Sequence, residues 1–425
     1  MSNYGLLING ELVKSDMTLD VINPATEEVF TQVPRADEAM LDQAVAGAKV
    51  AAAKWALTDI DERKALIHKI ADAINANIEP LAKALTQEQG KPLAAATMEV
   101  QYAEIFCRYF TSLNLENEVL VDDENQRVEV QRTPLGVVAG ILPWNFPLLI
   151  GIYKIAPSIL AGNSIILKPA PTTPVVSVML GEILKDVVPA GLVNILVDDN
   201  DLGPKITSHP GIDKISFTGS TPTGKAIMSS AASTLKRITL ELGGNDAAIA
   251  LDDIDVKAAA QGIFNTAFIN SGQVCIALKR LYAHESIYDE LCEEIASLAR
   301  QAVVGNGLDE ATQFGPVQNK MQYAKVCDYL EDAKANGNVI AGGEPLDQKG
   351  YFVPLTVVKD ISDGTRVVDE EPFGPILPIV KYSELDDAIA RANNSEFGLG
   401  GSVWSSDIDR ASKVASQMES GTVWI

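Results

Sequence analysis

Apolar residues fall into two rhythms along this chain. Ile67, Ile70, Ile74, Ile78, Leu81 and Leu85 recur three or four residues apart, the spacing of one helix face. Asp37 to Leu57, just before them, is alanine-rich and polar on one side. The N-terminal third therefore reads as helical after a short strand-turn opening. Pro80 is expected to kink or split the second run, and Gly90 followed by Pro92 to end it. Glu118 to Arg132 then changes texture into two alternating strands around the polar turn Asp122 to Asn125. A two-stranded ribbon is rarely stable alone, so this one is expected to pack on another subunit or a distant part of the chain.

From Val137 the rhythm becomes short apolar strands separated by helices. Strands are predicted at Val137–Leu142, Ser164–Leu167, Val193–Val197, Lys214–Phe217 and Arg237–Leu240. The helices between them run up to Leu160, over Thr173–Asp186 and over Pro222–Ala232. A second series has strands at Ala247–Leu251, Arg280–Ala283, Leu377–Tyr382 and Gly401–Trp404, with helices at Val256–Asn270 and Ile287–Val303. Such alternation predicts an α/β fold with two parallel-sheet units, their border near Gly243-Gly244.

The length, 425 residues, suits two or three domains, and 47% hydrophobic residues suit a sizeable core. A formal charge of −23 argues against a nucleic-acid partner and leaves no polybasic segment for an anionic membrane. The longest apolar stretch, Pro147 to Leu160, is interrupted by Tyr153, Lys154 and Pro157 and is too short to span a bilayer. The opening MSNYGLLINGELVKSD has no secretory pattern, so the cytoplasm is the expected compartment. Cys107, Cys275, Cys292 and Cys327 form no close pair, and His68, His209 and His284 no metal-ligand pattern, so no metal site is expected.

Four segments bear on chemistry, each with a duller alternative. In Leu142-Pro143-Trp144-Asn145, after a buried strand, the Asn145 amide can donate to an oxyanion, or simply cap the helix that follows. Phe217-Thr218-Gly219-Ser220 joins a strand to a helix N-terminus, where free N–H groups suit an anion, though many helix starts look alike. Glu241, beside Leu242, Gly243 and Gly244, can serve as a partly desolvated general base, or be a solvated loop carboxylate. Cys275, after the small turn at Gly272, is a candidate nucleophile, although free cysteines are usually buried and structural. The other three cysteines lie in helix-like patterns and read as structural.

Taken in order, PWNFP, LKPAP, FTGST, LELGGN, GQVC and EEPFGP resemble the aldehyde dehydrogenase superfamily, and the likeness runs from Ile22 to Ile425. The resemblance implies two Rossmann-like domains, cofactor-binding (1–117 and 133–243) and catalytic (244–425), plus an oligomerisation ribbon (118–132). It implies Cys275 as the nucleophile, Glu241 as the base and Asn145 with the Cys275 N–H as the oxyanion hole. Lys168 is implied at the cofactor ribose. Leu142, Pro143, Trp144, Phe217, Thr218, Gly219, Ser220, Leu242, Gly243, Glu371 and Phe373 are implied around the rest of the dinucleotide. The implied reaction oxidises a small-molecule aldehyde to a carboxylic acid with NAD or NADP, through a thiohemiacetal and a thioester that a Glu241-activated water hydrolyses. No metal takes part in that scheme.

Two further expectations follow from the resemblance. Many NAD-preferring relatives place a glutamate three residues after the lysine; Pro171 stands there, which lessens repulsion of a 2′-phosphate and leaves NADP open, with NAD the first expectation. Leu149, Phe268, Ile276 and Ala277 suggest an apolar pocket for an uncharged aldehyde. Relatives assemble as homodimers or homotetramers and continue past the Val-Trp-Ile strand for a few dozen residues, a tail this sequence does not show. The alternatives are a coenzyme A-acylating dehydrogenase, against which Glu241 counts, and a non-catalytic protein that kept the fold.

Overall fold

The computed structural model describes residues 4–425. In chain order its strands open with Leu6–Ile8 (β1), Glu11–Val13 (β2), Thr18–Asn23 (β3) and Glu28–Pro34 (β4). After the N-terminal helices come Glu118–Asp122 (β5), Arg127–Val130 (β6), Val137–Ile141 (β7), Ser164–Lys168 (β8), Val193–Ile195 (β9), Lys214–Thr218 (β10) and Arg237–Glu241 (β11). The C-terminal part carries Asp246–Ala250 (β12), Leu278–His284 (β13), Asn338–Ala341 (β14), Thr356–Ile361 (β15), Ile376–Tyr382 (β16), Gly400–Trp404 (β17) and Thr422–Trp424 (β18).

The chain divides into two compact units. One comprises the described residues up to Ile22, Val29–Gln89 and Leu93–Glu241; the other comprises Asn23–Glu28, Gly90–Pro92 and Leu242–Ile425. The short segments 23–28 and 90–92, grouped by the sequence reading with the first domain, thus count with the second unit.

The first unit is built on a seven-stranded sheet in the order β11-β10-β7-β8-β9-β1-β2. Five strands are parallel; β1 and β2 complete the edge in antiparallel fashion. β7 and β8 are buried at every residue, as a sheet covered on both faces requires. The helical N-terminal third splits into Ile60–Asn75 and Ile78–Gln89, breaking at Ala76-Asn77. Pro80 lies in the first turn of the second helix, where its missing N–H has no intrahelical partner to lose. The β5–β6 ribbon leaves Val119, Leu120, Val128 and Val130 exposed.

Two buried carboxylates tie this unit together. Glu88 accepts from the N–H groups of Val175 and Val176 at 2.6 and 3.0 Å, opening the helix Val175–Leu184. Glu99 accepts from Leu148 and Leu149 at 3.1 and 3.2 Å, opening the helix Pro147–Leu160. Helix N-termini expose N–H groups that must find acceptors when buried, and a carboxyl oxygen supplies one whether or not it is charged.

The second unit has a sheet in the order β14-β15-β16-β13-β12-β17-β18, parallel except for β14. The helix Val256–Phe268 stops two residues before the predicted Asn270, because Asn270 and Ser271 turn left-handed with φ of 52° and 56°. No described helix is long and apolar enough to cross a membrane.

Burial pushes the Glu88 carboxyl up from 4.5 to about 8, against the pull of its two N–H donors. An acid raised on folding contributes stability that is full below its unfolded value, and that contribution is lost as pH rises through the folded value. That contribution of Glu88 therefore falls as pH rises from 4.5 to about 8. Urea midpoints measured across that window should show the wild-type advantage over Glu88→Gln shrinking as pH rises. Parallel curves for the two proteins would contradict this.

Candidate active site

In the first unit the predicted site residues gather at the carboxyl ends of the parallel strands. Leu142 to Asn145 follow β7, Lys168 ends β8, Thr218 ends β10 and Glu241 ends β11. The chain winds from β7 outward through β8 and β9, then returns to the other side of β7 with β10 and β11. The strand order thus reverses between β7 and β10. Ligands of open α/β sheets bind outside the carboxyl ends at such a point, because the loops there diverge.

Each loop is fixed by its neighbours. Asn145 is buried, but the helix cap position falls on Phe146 and Glu99 takes the first helical N–H groups, so capping of this helix does not fall to Asn145. Lys168 is buried, with its ammonium 2.6 Å from Asp198 and 3.2 Å from the Asn200 side-chain oxygen. Asp198 in turn accepts from the Leu202 N–H at 2.9 Å. The helix Thr221–Ala232 begins after Ser220, whose side chain makes no cap; its first turn carries no acidic residue. Its opening N–H groups therefore suit a phosphate, and the fit to a dinucleotide diphosphate is good.

Glu241 is exposed, not partly desolvated as the sequence suggested. Its backbone oxygen accepts from Gly219 at 3.0 Å, linking the β11 end to the β10 turn. A group the sequence reading passed over lies nearby. Lys154, buried in the helix Pro147–Leu160, donates to Ser216 and Thr218 at 3.1 and 3.0 Å. Burial pushes its ammonium down to about 8, opposed by the negative charge of Glu241. Its signal in the sequence was a lone charge within an apolar helix.

In the second unit the site residues lie at the amino ends of the strands. Gly243 and Gly244 precede β12, Cys275 precedes β13, and Glu371 and Phe373 precede β16. Asn270, Ser271 and Gly272 are all left-handed, and the Gln273 side chain bridges Asn270, Pro316 and Gln318. A Cβ on Gly272 would meet the Gly374 carbonyl oxygen at 2.1 Å, so the turn admits only glycine. Cys275 leaves this turn half-buried, whereas Cys107 and Cys292 are buried in helices with thiols pushed up to about 12 by burial. Burial also raises the Cys275 thiol, opposed first by the Lys279 charge.

The Glu371 carboxylate accepts from the Gly244 N–H at 3.1 Å and lies 3.6 Å from the Lys279 ammonium. Gly243 makes room for it, since a Cβ there would come within 2.3 Å of the carboxylate. Phe373 is left-handed with φ of 49°, held by Gln322, which donates to the Pro372 and Phe373 carbonyls. Phe268, expected in the pocket wall, is instead fully buried in the core of this unit; Ile276 is exposed and Ala277 buried. Lys279 was not predicted, because its role depends on contacts no local pattern records.

The Aldehyde dehydrogenase family model matches residues 12–425. A mitochondrial aldehyde dehydrogenase of Leishmania tarentolae is 38% identical over 99% of this chain and 86% of its own length. An NAD+ complex of a Bacillus cereus aldehyde dehydrogenase superposes with a TM-score of 0.96 at 35% identity, covering 99% of this chain and 88% of that one. An NADP dependent enzyme of E. coli superposes equally well, with a TM-score of 0.96 at 33% identity over 99% and 89% of the two chains.

Gly272→Ala combines a positive φ with a backbone clash. It should cost on the order of 2–4 kcal/mol, read as a lower denaturant midpoint of the protein. An unchanged midpoint would mean that the turn relaxes freely.

Proposed function

Because the chain belongs to the aldehyde dehydrogenase family, we propose that it oxidises an aldehyde through a covalent thioester on Cys275. It is an NAD(P)-dependent aldehyde dehydrogenase. The observation that carries the mechanism is the left-handed turn that leaves Cys275 outside any helix and half-buried.

In this reading the Cys275 thiol gives its proton to solvent and the thiolate adds to the aldehyde carbon. The resulting oxyanion accepts hydrogen bonds from the Asn145 amide and the Cys275 N–H. What the dinucleotide supplies when bound is a two-electron acceptor for the hydride, which leaves a thioester on Cys275. Glu241 then takes a proton from water, the hydroxide adds to the thioester carbon, and the thiolate departs from the carboxylic acid. An exposed Glu241 suits a base that must meet bulk water and release its proton again.

Lys168 and the helix start after Ser220 are the groups that would hold the adenosine ribose and diphosphate. Glu371 and Phe373 would hold the nicotinamide side. Lys168 is already ion-paired with Asp198, so toward a ribose it offers hydrogen bonds more than net charge. Leu142, Pro143, Trp144, Phe217, Thr218, Gly219, Leu242 and Gly243 shape the same loops. The apolar flanks suit an uncharged aldehyde, with Phe268 removed from the lining. The exposed valines and leucine of the β5–β6 ribbon favour self-association into a dimer or tetramer, and the four free thiols favour the cytoplasm.

Turnover of an aldehyde panel, followed by reduced nicotinamide, tests the mechanism. Cys275→Ala should lose turnover by about a thousandfold or more. Glu241→Gln should retain a burst near one equivalent and slow the steady state by about a hundredfold or more. Acyl-coenzyme A formation in place of free acid would instead select the acylating reaction. Full activity of Cys275→Ala would overturn the thioester.

Pro171→Glu introduces a carboxylate where a 2′-phosphate would lie. It should lower kcat/KM for NADP by about tenfold or more while changing that for NAD little. Equal effects on the two cofactors would contradict this placement.

A further inference from the structure

Lys279 is a nearly fully buried lysine whose shortest contacts are to backbone carbonyls. Its Nζ lies 2.7 Å from the Val274 carbonyl oxygen, 2.8 Å from that of Cys275 and 3.4 Å from that of Ala277. Glu371 stands off at 3.6 Å, and the Phe373 ring centroid lies 6.0 Å away. An ammonium has three N–H donors, and here the backbone of the Cys275 turn takes them. Removing such a charge from water is costly, and a neutral side chain could have satisfied the same carbonyls more cheaply.

The consequence for Cys275 comes from the peptide planes. No peptide bond in the described chain is cis. In a trans peptide the C=O and N–H point in opposite directions. Holding the Val274 oxygen toward Lys279 therefore turns the Cys275 N–H away from it. Holding the Cys275 oxygen likewise turns the Ile276 N–H away from Lys279. Glu371 and Asp246 are the acidic groups whose charges act on the Cys275 sulfur, and Lys279 supplies the opposing charge. Asp246 is itself buried and accepts from the Gly400 N–H at 3.2 Å.

We propose that Lys279 is the positioning residue of the Cys275 turn: it sets the two peptide planes that present the thiol, and its charge offsets Glu371 and Asp246 in favour of the thiolate. This inference rests on the reading of Cys275 as the nucleophile. The dependence of thiolate formation on a buried lysine would compensate for the lack of a histidine partner in the sequence context of Cys275.

The test is the rate of Cys275 alkylation by iodoacetamide against pH, with labelled cysteines assigned by peptide mass mapping. Lys279→Gln keeps donors for the carbonyls and removes the charge. It should shift the alkylation midpoint upward and slow labelling at pH 7 by about tenfold, with the limiting rate at high pH retained. Glu371→Gln removes an opposing charge and should shift the midpoint downward, a direction that general loosening of the turn does not predict. Midpoints equal to wild type in both variants would overturn the proposal. If Lys279→Gln fails to fold, Glu371→Gln decides alone: a lower midpoint supports the proposal, and an unmoved one overturns it. These midpoints need no turnover, so an active Cys275→Ala variant would sink the nucleophile reading separately. Loss of turnover in Cys275→Ala with unmoved midpoints would sink only the role of Lys279.

Discussion

A backbone N–H or C=O taken out of water must find a partner, and in this protein ionisable side chains repeatedly fill that need. Glu88 and Glu99 take the opening N–H groups of two buried helices. Glu371 takes that of Gly244, and Lys279 holds the carbonyls around Cys275. Burying a charge is costly unless several hydrogen bonds answer it, so each such residue is bound to one backbone geometry. The loops that carry Asn145 and Cys275 inherit that rigidity. Asn145 lies between a buried strand and a helix anchored by Glu99; Cys275 lies between a left-handed turn and a buried lysine.

The two sheets place their chemistry at opposite ends. In the first unit the reversal of strand order between β7 and β10 opens the carboxyl edge, and the predicted cofactor loops lie there. In the second unit Gly243, Cys275, Glu371 and Phe373 all precede their strands. A chain segment entering a buried strand is as constrained as one leaving it. What the amino edge lacks is a helix N-terminus to supply N–H groups, and here glycines and left-handed residues provide the close approaches instead.

Much of this was readable from the sequence because it is local. The β7 and β8 runs, the ribbon strands and the alternation after Val137 follow from periodicity, with ends displaced by a residue or two. The break near Pro80 was foreseen, though it falls at Ala76-Asn77 because proline fits the first turn of the following helix. The family motifs pointed to Cys275, Glu241 and Asn145. What stayed hidden was long-range. Glu99 caps a helix some fifty residues away in sequence, Lys154 reaches β10, and Lys279 meets Glu371; none of these pairings leaves a local pattern. The exposure of Glu241 and the burial of Phe268 were likewise set by packing around them.

The β5–β6 ribbon puts apolar side chains into water on a chain that carries a formal charge of −23. The self-association proposed through this ribbon would join apolar side chains while working against that like charge. Added salt shortens the reach of the repulsion to roughly 8 Å at physiological strength and leaves the apolar attraction in place. For the self-association proposed above, ionic strength as well as protein concentration would then set how readily two copies meet, and dilution into low-salt buffer would favour the single chain.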